Sequence, residues 1–210
     1  MFCSCGSHDA LYLCLSPVTV AVYGAILGGM EKKAMEIATE LNGIVNEEMF
    51  TEYPELTAYL ESYAAMDIHI MIRFGRWKEL LEIEPPKNKA LMLYRAASLK
   101  FARALAYAVL GNVVEARKEA DRFDSLRGDP DAKMRILHNN TVADLLAVDS
   151  AMARGEIAYR EGKYDEAFVL LRKAVDMQDN LVSCSSLLIS ADMIQRKIKI
   201  EIRAHLFSSL

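Results

Sequence analysis

The sequence predicts an all-α protein made of about four helix–turn–helix pairs with irregular spacing, and three observations lead to this fold class. A short phrase that begins with glycine recurs four times along the chain. Apolar residues follow a period near 3.6 on both sides of the phrase, as in amphipathic helices. A pattern typical of a β-strand is limited to residues 198–202. With 210 residues, 52% of them apolar, the chain is long enough to bury the core of one large domain.

In each copy of the phrase, a glycine is followed five residues later by alanine or leucine. The copies begin at Gly29, Gly75, Gly111 and Gly162. Glycine often ends helices because it adopts the left-handed conformation at low cost, and the later residue falls on the buried face of the next helix. Each copy is therefore predicted to be a corner between two helices. The helix pairs are expected at about residues 15–45, 58–84, 89–125 and 145–181.

The corners are unevenly spaced, so some connections between the pairs must be longer than others. The extra length is expected in residues 44–55, in the bend at 84–87 and in residues 126–130. Because Asp129-Pro130 is a typical helix start, one long helix is predicted from about residue 131 to residue 160. Residues 1–9 are expected to be a frayed or disordered N-terminus, and residues 182–210 a capping helix or tail.

The charge balance argues against nucleic acid as a partner. The chain has 25 Lys and Arg against 29 Asp and Glu, a net charge of −4, so it lacks the basic excess that holds a polyanion. Its cysteines, Cys3, Cys5, Cys14 and Cys184, do not form the evenly spaced framework of a secreted protein, which favours a reducing, cytoplasmic location. They also lack the second ligand pair of a closed zinc site, so we predict no metal and no cofactor.

The sequence predicts no enzymatic activity. It contains neither a glycine-rich phosphate loop nor the G-x-S-x-G or H-E-x-x-H motif. Cys184 and His205 would become neighbours only if the end of the chain folded back, and no third residue is indicated to orient them.

The fourth phrase carries a resemblance to a known repeat family. Six residues fall at the offsets of a tetratricopeptide repeat, namely Gly155, Tyr159, Gly162, Tyr164, Ala167 and Ala174. The third phrase fits through Ala104, Tyr107, Gly111 and Ala116. Together with residues 72–77 and 138–141, the chain resembles an uncharacterised group of tetratricopeptide-repeat proteins in which a further repeat follows the equivalent of residue 181. The resemblance implies a right-handed α-solenoid, shortened in this chain, that binds another protein in a concave groove lined by the first helix of each pair.

Aligning each pair on its corner glycine gives the residues expected in that groove. They are Tyr23, His69, Arg73, Phe101, Met152, Glu156, Tyr159 and Arg160, with Ile26, Ile72 and Leu105 beside them. Arginine and tyrosine can bind a carboxylate or an extended peptide backbone. The chaperone-binding members of the fold hold a C-terminal carboxylate with several Lys, Arg and Asn, whereas this groove has two Arg and no Lys or Asn. We therefore expect an apolar or aromatic peptide or helix as the ligand.

Two other functions remain open from the sequence. Residues 10–30 carry no charge over a length that could span a bilayer, although Pro17 and Gly24 interrupt them, so the chain could be a membrane-anchored helical protein. Alternatively, the chain could self-associate through an apolar stripe in its C-terminal tail. That stripe consists of Leu187, Ile194, Ile198 and Ile202.

Overall fold

The computed structural model describes residues 8–137 and 139–182, and this part of the chain is mostly helical, which confirms the all-α prediction. The predictions for residues 1–7 and 183–210 lie outside the described residues. Two 3-10 turns, Pro54–Leu56 and Tyr63–Ala65, flank a short helix in the first long connection. The helices and strands are α1 (His8–Leu27), α2 (Glu31–Ile44), α3 (Glu47–Glu52), α4 (Thr57–Leu60), α5 (Met66–Phe74), α6 (Trp77–Glu82), α7 (Leu93–Val109), α8 (Val113–Arg127), α9 (Pro130–Met134), β1 (Ile136–Leu137), β2 (Asn140–Thr141), α10 (Val142–Arg160) and α11 (Tyr164–Asp179).

All four predicted corners are confirmed, and they share one backbone geometry. Gly29, Gly75, Gly111 and Gly162 have φ angles of 71°, 72°, 86° and 77°, in the left-handed region. At each corner, the N–H of the residue after the glycine donates to the carbonyl five residues earlier, at 2.8 to 3.0 Å. This hydrogen bond is the signature of the Schellman helix ending, which requires a left-handed residue. The corners join α1 to α2, α5 to α6, α7 to α8 and α10 to α11.

Consecutive helices pack in chain order. In each pair, the first helix (α1, α5, α7 or α10) contacts its own second helix (α2, α6, α8 or α11). Each second helix also contacts the first helix of the next pair: α2 packs on α5, α6 on α7 and α8 on α10. The first helices α5, α7 and α10 contact one another in that order. They therefore lie side by side along one face.

Small residues allow the closest helix crossing. A Cβ atom added to Gly155 of α10 would lie 2.7 Å from the Leu171 side chain and 3.3 Å from the Ala167 carbonyl on α11. Where α8 meets the neighbouring first helices, the contact is made largely by alanines. These residues, with one isoleucine, are Ala104, Ala108, Ala116, Ala120 and Ile157. Close approach of this kind is what the glycine and alanine positions of the repeat pattern predict.

The prediction of one long helix over residues 131–160 is wrong. A short helix and a β-hairpin come before α10 in this part of the chain. Asp129 caps α9 by accepting a hydrogen bond from the Asp131 N–H at 2.8 Å, but the chain becomes extended at Arg135. Strands β1 and β2 then pair in antiparallel register, and Thr141 caps α10 by accepting from the Asp144 N–H at 3.1 Å. The helix therefore starts at Val142, eleven residues later than predicted.

The hairpin is fixed by a buried ion pair with a distant part of the chain. Arg135 donates to the Glu61 carboxylate at 2.7 Å and to the Leu91 carbonyl at 2.9 Å. Glu61 is completely buried and also accepts hydrogen bonds from the N–H groups of Tyr94 and Arg95 in the first turn of α7. Burial raises the pKa of Glu61 to about 7, against the lowering effect of Arg135.

The three connections between pairs contact one another. The Glu47 carboxylate of the first connection accepts hydrogen bonds from the N–H groups of Lys87 and Asn88 in the second, at 3.0 and 2.6 Å. Glu61 and Arg135 join the first connection to the third. We call this set the connector edge. It consists of residues 45–65, 83–92 and 128–141.

Replacing a corner glycine by alanine is expected to destabilise the protein through backbone strain alone. A Cβ at Gly162 would meet no atom within 4 Å, so Gly162→Ala should lower the free energy of unfolding by about 1–2 kcal/mol, the cost of a left-handed alanine. The matched control is Gly43→Ala in the exposed part of α2, where the added Cβ is also free of contacts. It should raise the free energy of unfolding by about 0.5–1 kcal/mol. Urea unfolding followed by circular dichroism measures both, and changes of the same sign would contradict the corner geometry.

Removing Arg135 is expected to be costly because it leaves a buried carboxylate without its cation. Arg135→Met should lower the free energy of unfolding at pH 8 by about 3 kcal/mol, and the double variant Glu61→Leu/Arg135→Met should recover most of that loss. The control is Arg172→Met, which changes an exposed side chain of α11. Urea titrations of the four proteins give the comparison. Equal effects of Arg135→Met and Arg172→Met would show that the ion pair does not hold the connector edge.

Candidate functional site

The predicted groove residues all lie on the first helices, but the structure places them at different depths. Arg73 is exposed, and Tyr23 and Tyr159 are partly exposed. His69 and Glu156 are mostly buried, with 9% and 7% of their surface exposed. Arg160, at the end of α10, lies at the surface.

Phe101 and Met152 lie in the core and not in a surface groove, which corrects their predicted role. They are exposed by 1% and 0%, and both belong to the main apolar cluster of the protein. The Phe101 ring packs against the Phe123 ring of α8, with centroids 6.0 Å apart. The helical period alone predicted that these two residues lie on the face of their helices that lines the groove. The neighbouring helices cover that face at these two positions. The flanking residues Ile26, Ile72 and Leu105 are buried in the same way.

Three of the predicted residues form a group at the end of α10. Arg160 Nε lies 2.8 Å from Glu156 Oε1, and the Arg160 guanidinium lies 5.8 Å from the Tyr159 ring centroid. The Tyr159 ring meets the Tyr164 ring edge-on at 5.2 Å and lies 6.4 Å from Phe168. The charge of Arg160 is therefore already paired, and the group offers an aromatic surface with a balanced ion pair beside it.

Arg73 is the more available cation. It lies in the last turn of α5, exposed, with its guanidinium 5.8 Å from the Phe74 ring. Among the described residues it takes part in no ion pair. A guanidinium in this state can donate several hydrogen bonds to a carboxylate or to peptide carbonyls.

Polar side chains from all four first helices converge around Tyr94 of α7. The His69 ring of α5 lies 6.4 Å from the Tyr94 ring, and Tyr23 of α1 is close enough to act on Tyr94 electrostatically. Asp149 of α10 is a further electrostatic neighbour, and Ser98, one turn along α7, lies beside Tyr94. We call these residues the polar cluster: Tyr23, His69, Tyr94, Ser98 and Asp149.

His69 of the polar cluster lacks the hydrogen bonds that buried polar atoms normally make. Both of its ring nitrogens are buried without a hydrogen-bond partner among the described residues, whereas the Ser98 hydroxyl interacts with the Tyr94 hydroxyl. Burial lowers the pKa of His69 to about 4, so its imidazole is neutral at physiological pH. An unpaired buried polar group costs about 1–3 kcal/mol, so such groups need a reason to be retained.

Asp149 is the most unusual member. It is 8% exposed, and burial alone raises its pKa to about 7. The pKa of the Tyr94 hydroxyl is raised well above its usual value, first by burial and then by the charge of Asp149. Near neutral pH the polar cluster therefore holds a carboxyl group that is close to its titration midpoint.

The sequence analysis missed Tyr94, Ser98 and Asp149, although the pattern contained a clue to two of them. Asp149 lies one turn before Met152 on the same face of α10, and Ser98 lies one turn before Phe101 on α7. Extending each predicted stripe by one turn toward the N-terminus would have included both.

Comparison of the chain with family models, with curated proteins and with solved structures finds no match. Among the described residues, which include α1, no helix combines the length and the apolar character needed to cross a membrane. Within the same residues, no group of His, Cys, Asp or Glu is arranged to hold a metal ion.

The stability of the protein should depend on pH through Asp149. In the folded chain its carboxyl keeps a proton between pH 4 and 7 that the unfolded chain releases, so stability falls as the pH rises through this range. Asp149→Asn should raise the free energy of unfolding by about 2–4 kcal/mol at pH 8, since one pKa unit corresponds to about 1.4 kcal/mol, and by less than half of that amount at pH 5.

Urea unfolding at the two pH values tests this expectation, with Asp176→Asn on the exposed side of α11 as the matched control. Because Glu61 titrates in both proteins, the difference between wild type and variant isolates Asp149. A variant that is equally stabilised at pH 5 and pH 8 would show that the carboxylate is not destabilising in the folded chain.

Proposed function

We propose that the protein is a tetratricopeptide-like scaffold, a right-handed solenoid of four helix pairs, that binds a peptide or helix of another protein without catalysing a reaction. Three features support the solenoid: the repeated corner geometry, the packing of each second helix on the next first helix, and the contacts among α5, α7 and α10. The uneven cysteine pattern supports a reducing, cytoplasmic setting.

One observation carries the binding role. Four first helices bring Tyr23, His69, Tyr94, Ser98 and Asp149 together, and within the described residues both ring nitrogens of the buried His69 have no hydrogen-bond partner. A protein that needed this region only for its core would gain stability by filling it with apolar side chains. Unsatisfied groups on the face shared by the first helices are what a surface prepared for a ligand would retain.

The surroundings indicate the kind of partner. The aromatic group of Tyr159, Tyr164 and Phe168 offers apolar surface at one end of α10, and Arg73 offers an exposed guanidinium on α5. A peptide or helix with apolar anchors fits the first, and backbone carbonyls or a carboxylate fit the second. Aromatic and arginine side chains commonly dominate the binding energy of such interfaces.

Peptide selection on the full-length protein tests the proposal. Random 12- and 20-residue peptides are displayed and selected on the immobilised chain, and the selected sequences are synthesised with a fluorescent label. Dissociation constants are then measured by fluorescence anisotropy. We expect Arg73→Ala and Tyr159→Ala each to weaken binding about tenfold, the loss of roughly 1.4 kcal/mol that one good contact supplies.

The matched control is Arg172→Ala on the exposed side of α11, which should leave the dissociation constant unchanged. Helix content by circular dichroism confirms that each variant is folded. Failure to select any peptide, or equal affinity of all variants, would contradict the scaffold function. Sedimentation of the wild-type chain at two concentrations then shows whether the shared face is covered by a second copy instead.

A further inference from the structure

One side of α1 is apolar and exposed. Val20 and Leu27 keep 68% and 61% of their surface exposed, and Met30, just after the helix, keeps 52%. The opposite side of the helix packs in a core cluster through Val22 and Ile26. The exposed residues recur at helical spacing, and none of them is charged. We call this side the α1 face, and it consists of Pro17, Val20, Ala21, Gly24 and Leu27.

The same side of another first helix, α10, is covered by α8. Eight positions before its corner glycine, Arg154 of α10 donates to the Asp121 carboxylate of α8 at 2.6 Å. Five positions before that glycine, Ile157 packs with the alanines of α8. The α1 residues at these two positions are Ala21 and Gly24, and both are exposed. The α1 face is therefore the kind of surface that carries a packed helix elsewhere in this fold.

Charge determines which helix can cover the α1 face. Where α8 meets α10, charges are paired across the contact, as between Arg117 and Glu161 at 2.6 Å. On α11 the position of Asp121 is taken by Arg172, which is exposed. If α11 of another copy packed on the α1 face, Arg172 would lose water and gain no partner, because residues 10–30 carry no charge. A second α1 face brings no charge into the contact.

Gly24 indicates close approach by another helix. A Cβ atom at this position would meet no atom within 4 Å, so the packing of a single copy does not require glycine there, although glycine inside a helix is less stable than alanine. An exposed glycine lets the backbone of a second helix come close. Gly24 lies midway between Val20 and Leu27, so a twofold axis beside it brings Val20 of one copy against Leu27 of the other.

We propose that the α1 face binds the α1 face of a second copy of this chain and forms a symmetric dimer. This inference goes beyond the proposed function and does not depend on it. A membrane surface fits less well, because helices that lie on membranes commonly carry Lys and Arg beside their apolar side, and α1 has neither. One helix face is smaller than the roughly 800 Å² per partner of a standard interface, so we expect a weak dimer with a dissociation constant of about 10–100 µM.

Sedimentation velocity of the full chain at about 5 µM and about 500 µM tests the inference. We expect wild type to change from monomer to dimer across this range. Leu27→Glu places a charge in the α1 face and should weaken dimerisation at least tenfold. The matched control is Val169→Glu, which changes an equally exposed side chain of α11 and should dimerise as wild type does. Monomeric wild type at the higher concentration, or equal dimerisation of wild type and Leu27→Glu, overturns the inference.

Photo-cross-linking locates the contact without adding a charge. Benzoylphenylalanine replaces Val20, and equal amounts of unlabelled and nitrogen-15-labelled chain are mixed before illumination. Cross-links that join α1 of a light copy to α1 of a heavy copy support the dimer. Cross-links confined to single copies show that another part of the same chain covers the α1 face, and they overturn the inference. Binding of monomeric wild type to phosphatidylcholine vesicles, lost in Leu27→Glu, assigns the face to a membrane and overturns it as well.

Discussion

The pairing of helices in this chain depends on four reversals at which only glycine is unstrained. At each one a left-handed glycine lets the next N–H close a hydrogen bond to the carbonyl five residues back, so the backbone turns in the same way between the two helices of every pair. Side chains then have only to permit close approach, as Gly155 does against Leu171. Because the reversals are alike, the pairs can stack in chain order and bring their first helices together.

Two buried carboxyl groups have similarly raised pKa values but different partners. Burial raises the pKa of both Glu61 and Asp149 to about 7. The Glu61 carboxylate accepts hydrogen bonds from two N–H groups and from Arg135, so it holds distant parts of the chain together. Asp149 is also buried, on α10, and no hydrogen bond or ion pair among the described residues involves its carboxyl group. Comparing the partners of each carboxyl, and not its pKa alone, separates a structural acid from a candidate recognition group.

The sequence predicted what local patterns determine. Corner glycines and a period of 3.6 are short-range features, and both were confirmed. The hairpin before α10 was missed because it depends on Arg135 reaching Glu61, 74 positions away along the chain. The roles of Phe101 and Met152 were misjudged because periodicity gives the face of a helix but not the neighbour that covers it. Asp149 escaped notice because the sequence does not show that neighbouring helices bury this acid.

The connector edge ties together parts of the fold that lie far apart along the chain. In a linear repeat protein each unit contacts only its neighbours, so units can be added, lost or unfolded one at a time. Here Glu61 of the first connection is bonded to Arg135 of the third, and Glu47 binds the second. A pair inserted into or deleted from the middle would pull these partners apart. The helix pairs are therefore not independent modules, and the irregular spacing of the corners is a fixed property of the fold.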